Sequence, residues 1–367
     1  MFVSQASHRR AARGRSLGAR ISALAFGLLL AGTASAAENL AVIGIEADPG
    51  HFNPGISTGS HVHTVADSIF NGLVGLDQNL DPTPDLATSW EVSEDGKTVT
   101  FELAEANWHD GKPFTSDDVK FTFEEVLFNH HSRTKAGLGS VVEAIETPDP
   151  RTVVFKLKSP HPALLCRLDV TEAPILPKHV FEGAGDPNDA AANLAPVGTG
   201  PFKLASYEKD SEIVLERNPD YFKPGLPKLD RLVFRIIQDP ATRLLAYQQG
   251  EIDYIGGVPG RDVAAIEAAG DSEIVTSSSS PGGGNCIMTV GFNLEREATK
   301  NPAVREAFAK AIDRQRIVEQ VLFGQGKVAV APISSAIPWA HAEGSLAALE
   351  HDPAAAKAAL DGAGLPE

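Results

Sequence analysis

Apolar positions along this chain fall into short blocks of two periods, and the blocks alternate. Leu40-Ala41-Val42-Ile43-Gly44-Ile45 is an unbroken apolar run closed by Asp48-Pro49-Gly50, the pattern of a buried strand. Val62, Val65, Ala66, Ile69, Phe70 and Leu73 then recur at helical spacing and predict a helix over 62–73. A β-rich stretch follows. Trp90-Glu91-Val92 and Thr98 to Leu103, with Val99, Phe101 and Leu103 alternating against polar residues, read as a hairpin. Asp95-Gly96 between them is expected to supply the positive φ angles of a tight primed turn. Thr115-Ser116-Asp117-Asp118 carries a capping hydroxyl and first-turn acids, so a helix starts there and runs through Val119, Phe123, Val126 and Leu127.

The alternation continues to the end of the sequence. Residues 152–157, 212–216 and 232–237 read as strands, and 196–202 as a glycine-punctuated crossover. Ala241 to Gln249 is a helix ended by Gly250, followed by a strand over 251–255. A Ser/Gly run at 277–284 precedes a strand over 287–294, and Pro302 and Pro353 each open a helix in the favoured first-turn position. Strands interspersed with helices imply an α/β fold with helix-covered sheets, and the hairpin block near 90–160 implies an α+β insertion.

The N-terminal stretch does not belong to that pattern. Arg9, Arg10, Arg13, Arg15 and Arg20 precede an apolar run from Ile21 to Ala31 and the small residues Ala34-Ser35-Ala36. This is the pattern of a secretory signal peptide over 1–36, too short to span a bilayer. The net charge of −16 becomes about −21 without those five arginines, which disfavours nucleic acid and anionic lipid as partners. No later apolar run approaches the ~18 residues of a membrane span. Two cysteines, Cys166 and Cys286, make no disulfide framework, and two buried thiols are the expected state.

Four ordered stretches carry a resemblance. The first runs from Leu86-Ala87-Thr88-Ser89-Trp90 through Asp95-Gly96 to Trp108-His109-Asp110-Gly111-Lys112-Pro113-Phe114-Thr115. The second is Val197-Gly198-Thr199-Gly200-Pro201-Phe202 with Arg217-Asn218-Pro219-Asp220-Tyr221-Phe222. Gly250-Glu251-Ile252-Asp253 is the third, and Phe292-Asn293 with Pro302, Val304-Arg305 and Ala311-Ile312-Asp313-Arg314 the fourth. Together they resemble the extracellular solute-binding proteins of the peptide/nickel family, which serve ATP-driven importers.

The resemblance implies a two-lobed periplasmic-binding-protein fold of type II kind with an extra α+β subdomain. Residues 37–72 and 197–288 would form the first lobe, 73–196 its subdomain, and 289–367 an incomplete second lobe. Family members usually continue further, so the chain is expected to be a fragment or a truncated product that exposes apolar surface, is unstable and binds poorly. The implied function is capture of peptides or peptide-like solutes by closure of the lobes, with permease subunits in the inner membrane as partners. A periplasmic monomer that uses no cofactor is expected.

The part of the cleft legible here is the loop from Asn53 to His63, with Thr58, Gly59, Ser60, His61 and His63 as candidate ligand contacts, together with Asn285 and Trp339. An ordinary solvated loop and a packing Trp are the bland alternatives. His61 and His63 form a His-x-His pair near His51, which leaves a nickel or metal-chelate carrier as an alternative function; no metal site is assigned, because a third ligand is not evident. A secreted hydrolase is a further alternative, but the sequence has no Gly-x-Ser-x-Gly, His-Glu-x-x-His or Gly-Lys-Ser/Thr motif, so no catalytic residue is expected.

Overall fold

The computed structural model describes residues 2–5, 39–77, 80–275, 287–335, 341–342 and 350–364. Its contacts divide the chain into two compact units, Ser4–Gly256 and Gly257–Glu367 with Met1–Val3. Most of the expected export segment, Cys286, Asn285 and Trp339 lie outside the described residues. A short strand, β1 (Phe2–Gln5), opens the described chain.

The larger unit holds two sheets with separate cores. In the first, β2 (Leu40–Ile45) is central. The two-stranded pair β3 (Val74–Leu76) and β4 (Pro82–Pro84) leads into the second sheet, made of β5 (Ala87–Val92), β6 (Thr98–Leu103), β7 (Val142–Asp149) and β8 (Thr152–Leu157) in the order β5-β6-β8-β7. This second sheet is antiparallel throughout, with Val99 opposite Phe155 and Phe101 opposite Val153. Both strands bury alternate residues, as the period-2 pattern requires. Phe101, Phe123 and Phe155 meet edge-on in its core, with ring centroids 5.1–5.6 Å apart.

The first sheet is completed by β9 (Phe202–Glu208), β10 (Glu212–Arg217), β11 (Arg231–Ile236) and β12 (Tyr254–Ile255), in the order β12-β2-β11-β10-β9 within this unit. β2 runs parallel to both β11 and β12, while β9, β10 and β11 form an antiparallel meander. α1 (Ser60–Ala66) packs Val62, Val65 and Ala66 with Ile213, Leu215 and Phe234 of the sheet in one core. α6 (Pro240–Gln248) connects β11 to β12 across β2.

Helical segments lie between β6 and β9. α2 (Ser116–Phe121) passes into a π-helical stretch, Thr122–Leu127, and ends as α3 (Phe128–His130); α4 (Ser132–Leu138) and α5 (Lys178–Phe181) follow. The widened turn has a visible cause. Thr122 Oγ1 accepts the Leu176 N–H at 3.0 Å while lying 2.7 Å from the Asp118 carbonyl, so a neighbouring segment is bonded at this turn. α6 (Pro240–Gln248) ends as expected, with Gly250 at φ +76 after the cap.

The unit Gly257–Glu367 contains α7 (Gly260–Ala269), β13 (Ser272–Val275), α8 (Glu297–Lys300), α9 (Pro302–Ala311), α10 (Arg314–Arg316) and α11 (Pro353–Gly362). Proline stands at the first turn of α9 and α11, where its missing N–H costs nothing.

Three expectations are corrected. The helix expected over 62–73 ends at Ala66, because the chain must turn to bring Gly72 against the backbone of residues 168–170, where a Cβ would lie 2.5 Å from Leu168 O. Asp95-Gly96 does not make a primed turn: only Gly96 has positive φ (+66), and the Asp95 carboxylate instead accepts from Ser93 Oγ at 2.6 Å and Lys97 N at 3.1 Å inside a longer loop. Residues 287–294 form no strand, since no ladder among the described residues pairs with them and apolar alternation alone does not make a strand.

Candidate functional site

Three parallel strands, β2, β11 and β12, end on one edge of the first sheet, and the β11–α6–β12 connection crosses over β2. Ligands of open α/β sheets sit in the crevice beyond such carboxyl ends. The loop of residues 46–59 leaves β2 at this edge and is pinned at three points. Asp48 accepts from Tyr207 Oη and from Asp210 N, both at 2.7 Å, at the β9–β10 turn. Burial works against its charge, but these donors and Gly50 N hold the Asp48 carboxyl below its ordinary range. Asn53, fully buried, donates to Asn193 Oδ1 at 2.8 Å and accepts from Gly55 N at 2.9 Å. Ser57 is the third point. Its carbonyl oxygen lies 3.0 Å from His63 Nε2, and its hydroxyl accepts from Gly59 N at 3.1 Å.

Between these anchors the candidate contacts separate into two groups. Thr58, Ser60 and His61 are exposed and Gly59 is half-buried. The His61 ring folds over Gly59, so close that a Cβ there would lie 2.6 Å from the ring. His51 is half-buried nearby; burial first and the neighbouring His61 second hold its pKa down. His63 stands behind the loop, buried, with Nδ1 2.9 Å from Asp67 Oδ1 as well as Nε2 at Ser57 O. Both of its ring nitrogens are thus engaged within the protein, and His61 and His63 do not present a His-x-His pair to a metal. Among the described residues no group of three or more His, Cys, Asp or Glu is placed to hold a metal ion. Cys166 is free but exposed, not buried as expected, and no helix among those described is long and apolar enough to cross a membrane.

Most of the motif residues turn out to hold the scaffold. Gly198 and Gly200 pass so close to Ile69 that a Cβ on either would lie 1.8 or 2.5 Å from its backbone. His109 N donates to Gly198 O at 2.8 Å, and His109 Nε2 lies 3.0 Å from Gly200 O, while Nδ1 accepts from Gly198 N at 3.3 Å. This neutral tautomer fits its environment, for burial pulls the His109 pKa down to about 4. Asn218 donates to the same Gly200 carbonyl at 3.1 Å. The first and second sequence stretches are therefore one structural joint.

A second buried network went unread in the sequence. Asn71 donates to Asp85 at 3.0 Å and accepts from Thr199 at 3.0 Å, and Lys223 caps Asp85 at 2.7 Å. Burial still raises the Asp85 pKa, against the Lys223 charge. An open surface hollow of about 510 Å³ lies beside it, lined by Pro84, Thr88, Glu105 and Phe222 among others. No spacing rule links residues 71, 85, 199 and 223, so only the fold reveals them.

Comparison with known proteins supplies the class. Residues 81–367 match the family model described as "Bacterial extracellular solute-binding proteins, family 5 Middle", and the chain belongs to that family. A Brucella ovis protein whose name provisionally assigns it to peptide binding in an ABC transporter is 37% identical over 322 residues, covering 86% of this chain and 58% of its own length. The chain therefore spans somewhat over half the length of that relative. Among solved structures, the periplasmic binding protein DppA of Helicobacter pylori, in complex with the peptide STSA, matches with a TM-score of 0.78 at 26% identity, covering 90% of this chain and 67% of DppA. NikZ of Campylobacter jejuni, in complex with Ni(L-His), matches at 0.75 and 27%, covering 88% of this chain and 63% of NikZ. The α/β fold is that of periplasmic binding proteins, as the sequence motifs imply.

Proposed function

We propose that the protein is the substrate-binding component of an ABC importer that captures peptides or peptide-like solutes in the periplasm. The observation that carries this reading is the likeness to a peptide complex over 90% of the chain. In this reading residues 37–72 and 197–288 form one lobe, 73–196 its subdomain, and residues from 289 onward the second lobe. Ligand between the lobes favours the closed state by contacts made only there, and inner-membrane permease subunits read that state. Thr58, Gly59, Ser60 and His61 form the ligand-facing loop of the first lobe, with Asn285 and Trp339 contributing from elsewhere. The leader over 1–36 directs export, and the protein acts as a monomer without a cofactor or catalytic step.

A metal-chelate carrier is the second reading, favoured by the likeness to NikZ and opposed by the engagement of both His63 nitrogens. Mass spectrometry of small molecules released by denaturing the purified protein separates the two. Short peptides at near-stoichiometric yield are expected. Stoichiometric nickel without peptide, and no heat on titration with di- and tripeptides, would overturn the proposal in favour of the chelate. Peptide hydrolysis that disappears on His61→Ala would overturn it in favour of an enzyme.

A further inference from the structure

His63 is a buried ring facing two acceptors. Nδ1 is 2.9 Å from an Asp67 carboxylate oxygen and Nε2 is 3.0 Å from the Ser57 carbonyl. Neither partner has a proton to give in its ordinary state, so both contacts are hydrogen bonds only when both ring nitrogens carry hydrogen. The imidazolium thus ties the end of the ligand-facing loop to α1, just before Thr58 and Ser60 take their exposed positions.

We propose that His63 is the positioning residue of this loop, its doubly protonated ring clamping the Ser57 carbonyl to Asp67 and thereby setting where the exposed Thr58–His61 edge stands. The inference rests on the reading of that loop as ligand-facing. On losing a proton the ring keeps the hydrogen toward the carboxylate, and Nε2 then confronts the Ser57 carbonyl with a lone pair. The loop loses this anchor, with Asp48 and Asn53 still holding its earlier part, and affinity falls as pH rises.

The surrounding charges isolate this event. Burial disfavours the His63 cation, but the Asp67 hydrogen bond and charge, helped by the Ser57 carbonyl and opposed by Arg133, leave its pKa raised. From α4 and its cap the ring meets Arg133 and His131, the latter held near 4 by burial and then by Arg133 and His63. From the segment after residue 165, Thr171 donates to the second Asp67 oxygen at 3.3 Å, and Glu172 binds Arg133 at 3.3 Å and Arg167 at 3.6 Å. Asp169, pushed up to about 6 by burial, completes this set. Above pH 7 both His131 and Asp169 have finished titrating, whereas the His63 pKa is raised from its ordinary value.

The test pairs a ligand-free readout with a binding one. Hydrogen exchange of residues 55–62, corrected for intrinsic rates, should rise about tenfold as pH rises through the His63 titration in the unaltered protein, the scale of one charge-assisted bond. Asp67→Asn should move the midpoint to lower pH. His63→Gln, which restores a donor toward Ser57 without a titration, should give a flat profile, and His63→Ala should lack protection throughout. Tri-alanine affinity should follow the same profile. A pH profile of exchange identical in the unaltered protein and His63→Gln overturns the clamp, whatever binds. Exchange as expected without tri-alanine or any other di- or tripeptide binding overturns the peptide reading and leaves the clamp standing.

Discussion

An alanine methyl at Gly198 would lie 1.8 Å from the carbonyl oxygen of Ile69, a backbone atom that cannot swing away. At Gly111 the same methyl would meet nothing within 4 Å, although φ is +85 there. The two glycines of neighbouring motifs thus serve different needs, close approach at one and a left-handed turn at the other. Gly198→Ala is expected to cost more than ~3 kcal/mol, as strain at a packed joint does, and Gly111→Ala only about 1–2 kcal/mol. Urea melts of the two variants check this; equal losses would refute the close-approach reading. His109 at that joint and His131 at the start of α4 carry a pH dependence. His109 and His131 both have folded pKa values near 4, below the ordinary 6.5, so between those limits the unfolded chain binds more protons than the native one. Their contribution is complete above pH 6.5 and is lost as pH falls toward 4, on the order of 3 kcal/mol each. Asp169 acts in the opposite sense: its folded pKa of about 6 means the native state holds the extra proton, so it adds stability as pH falls from 6 toward 3.8. Two groups outweigh one, and the thermal midpoint should drop between pH 6.5 and 4. A midpoint that stays constant or rises over that window contradicts the neutral, buried states of these rings.

At the scale of elements, what could be read in advance was what local chemistry decides. The strand β2, the alternation of β6 and β8, the proline starts of α9 and α11 and the Gly250 stop each depend on neighbours within a few residues. Failures occurred where a distant segment intervened. α1 ends early because Gly72 must meet residues 168–170, and the helix through Thr122 widens where Leu176 is bonded to it. The candidate loop was legible as a polar stretch between strand and helix, but two of its three anchors, Asp48 and Asn53, use Tyr207, Asp210 and Asn193, more than a hundred residues away. His61 and His63 look alike in sequence, two residues apart; the helical start at Ser60 turns one outward and the other into the core. That difference of about 200° around the helix axis is a consequence of 3.6 residues per turn, and it decides that one ring faces solvent while the other supports the loop from behind.

At the scale of the molecule, burial is uneven. Both large apolar clusters lie within the unit Ser4–Gly256 and contain the aromatic residues Phe52, Phe101, Trp108, Phe123, Phe155 and Phe234. In the unit Gly257–Glu367 the buried apolar side chains are small: Val258, Val263, Ile266, Val304, Ala307, Ala331 and Ala356 among the described residues. The same unit leaves Met288, Val290, Phe308, Val321 and Phe323 exposed, with Met288 at 85%. A fully buried Leu or Phe contributes about 2–3 kcal/mol relative to an exposed one, and an alanine much less. Local stability follows such burial, and segments with few buried apolar contacts open first. Hydrogen exchange should therefore be at least about tenfold faster in α9 and α11 than in β6 and β8, and heating should melt the 257–367 unit before the rest. If the proposed function holds and peptide contacts the folded 257–367 unit, binding stabilises that unit by mass action. Saturating peptide should slow exchange in α9 and α11 while leaving β6 and β8 unchanged. Uniform protection across both units without peptide would show that the exposed side chains of residues 288–323 cost the fold nothing.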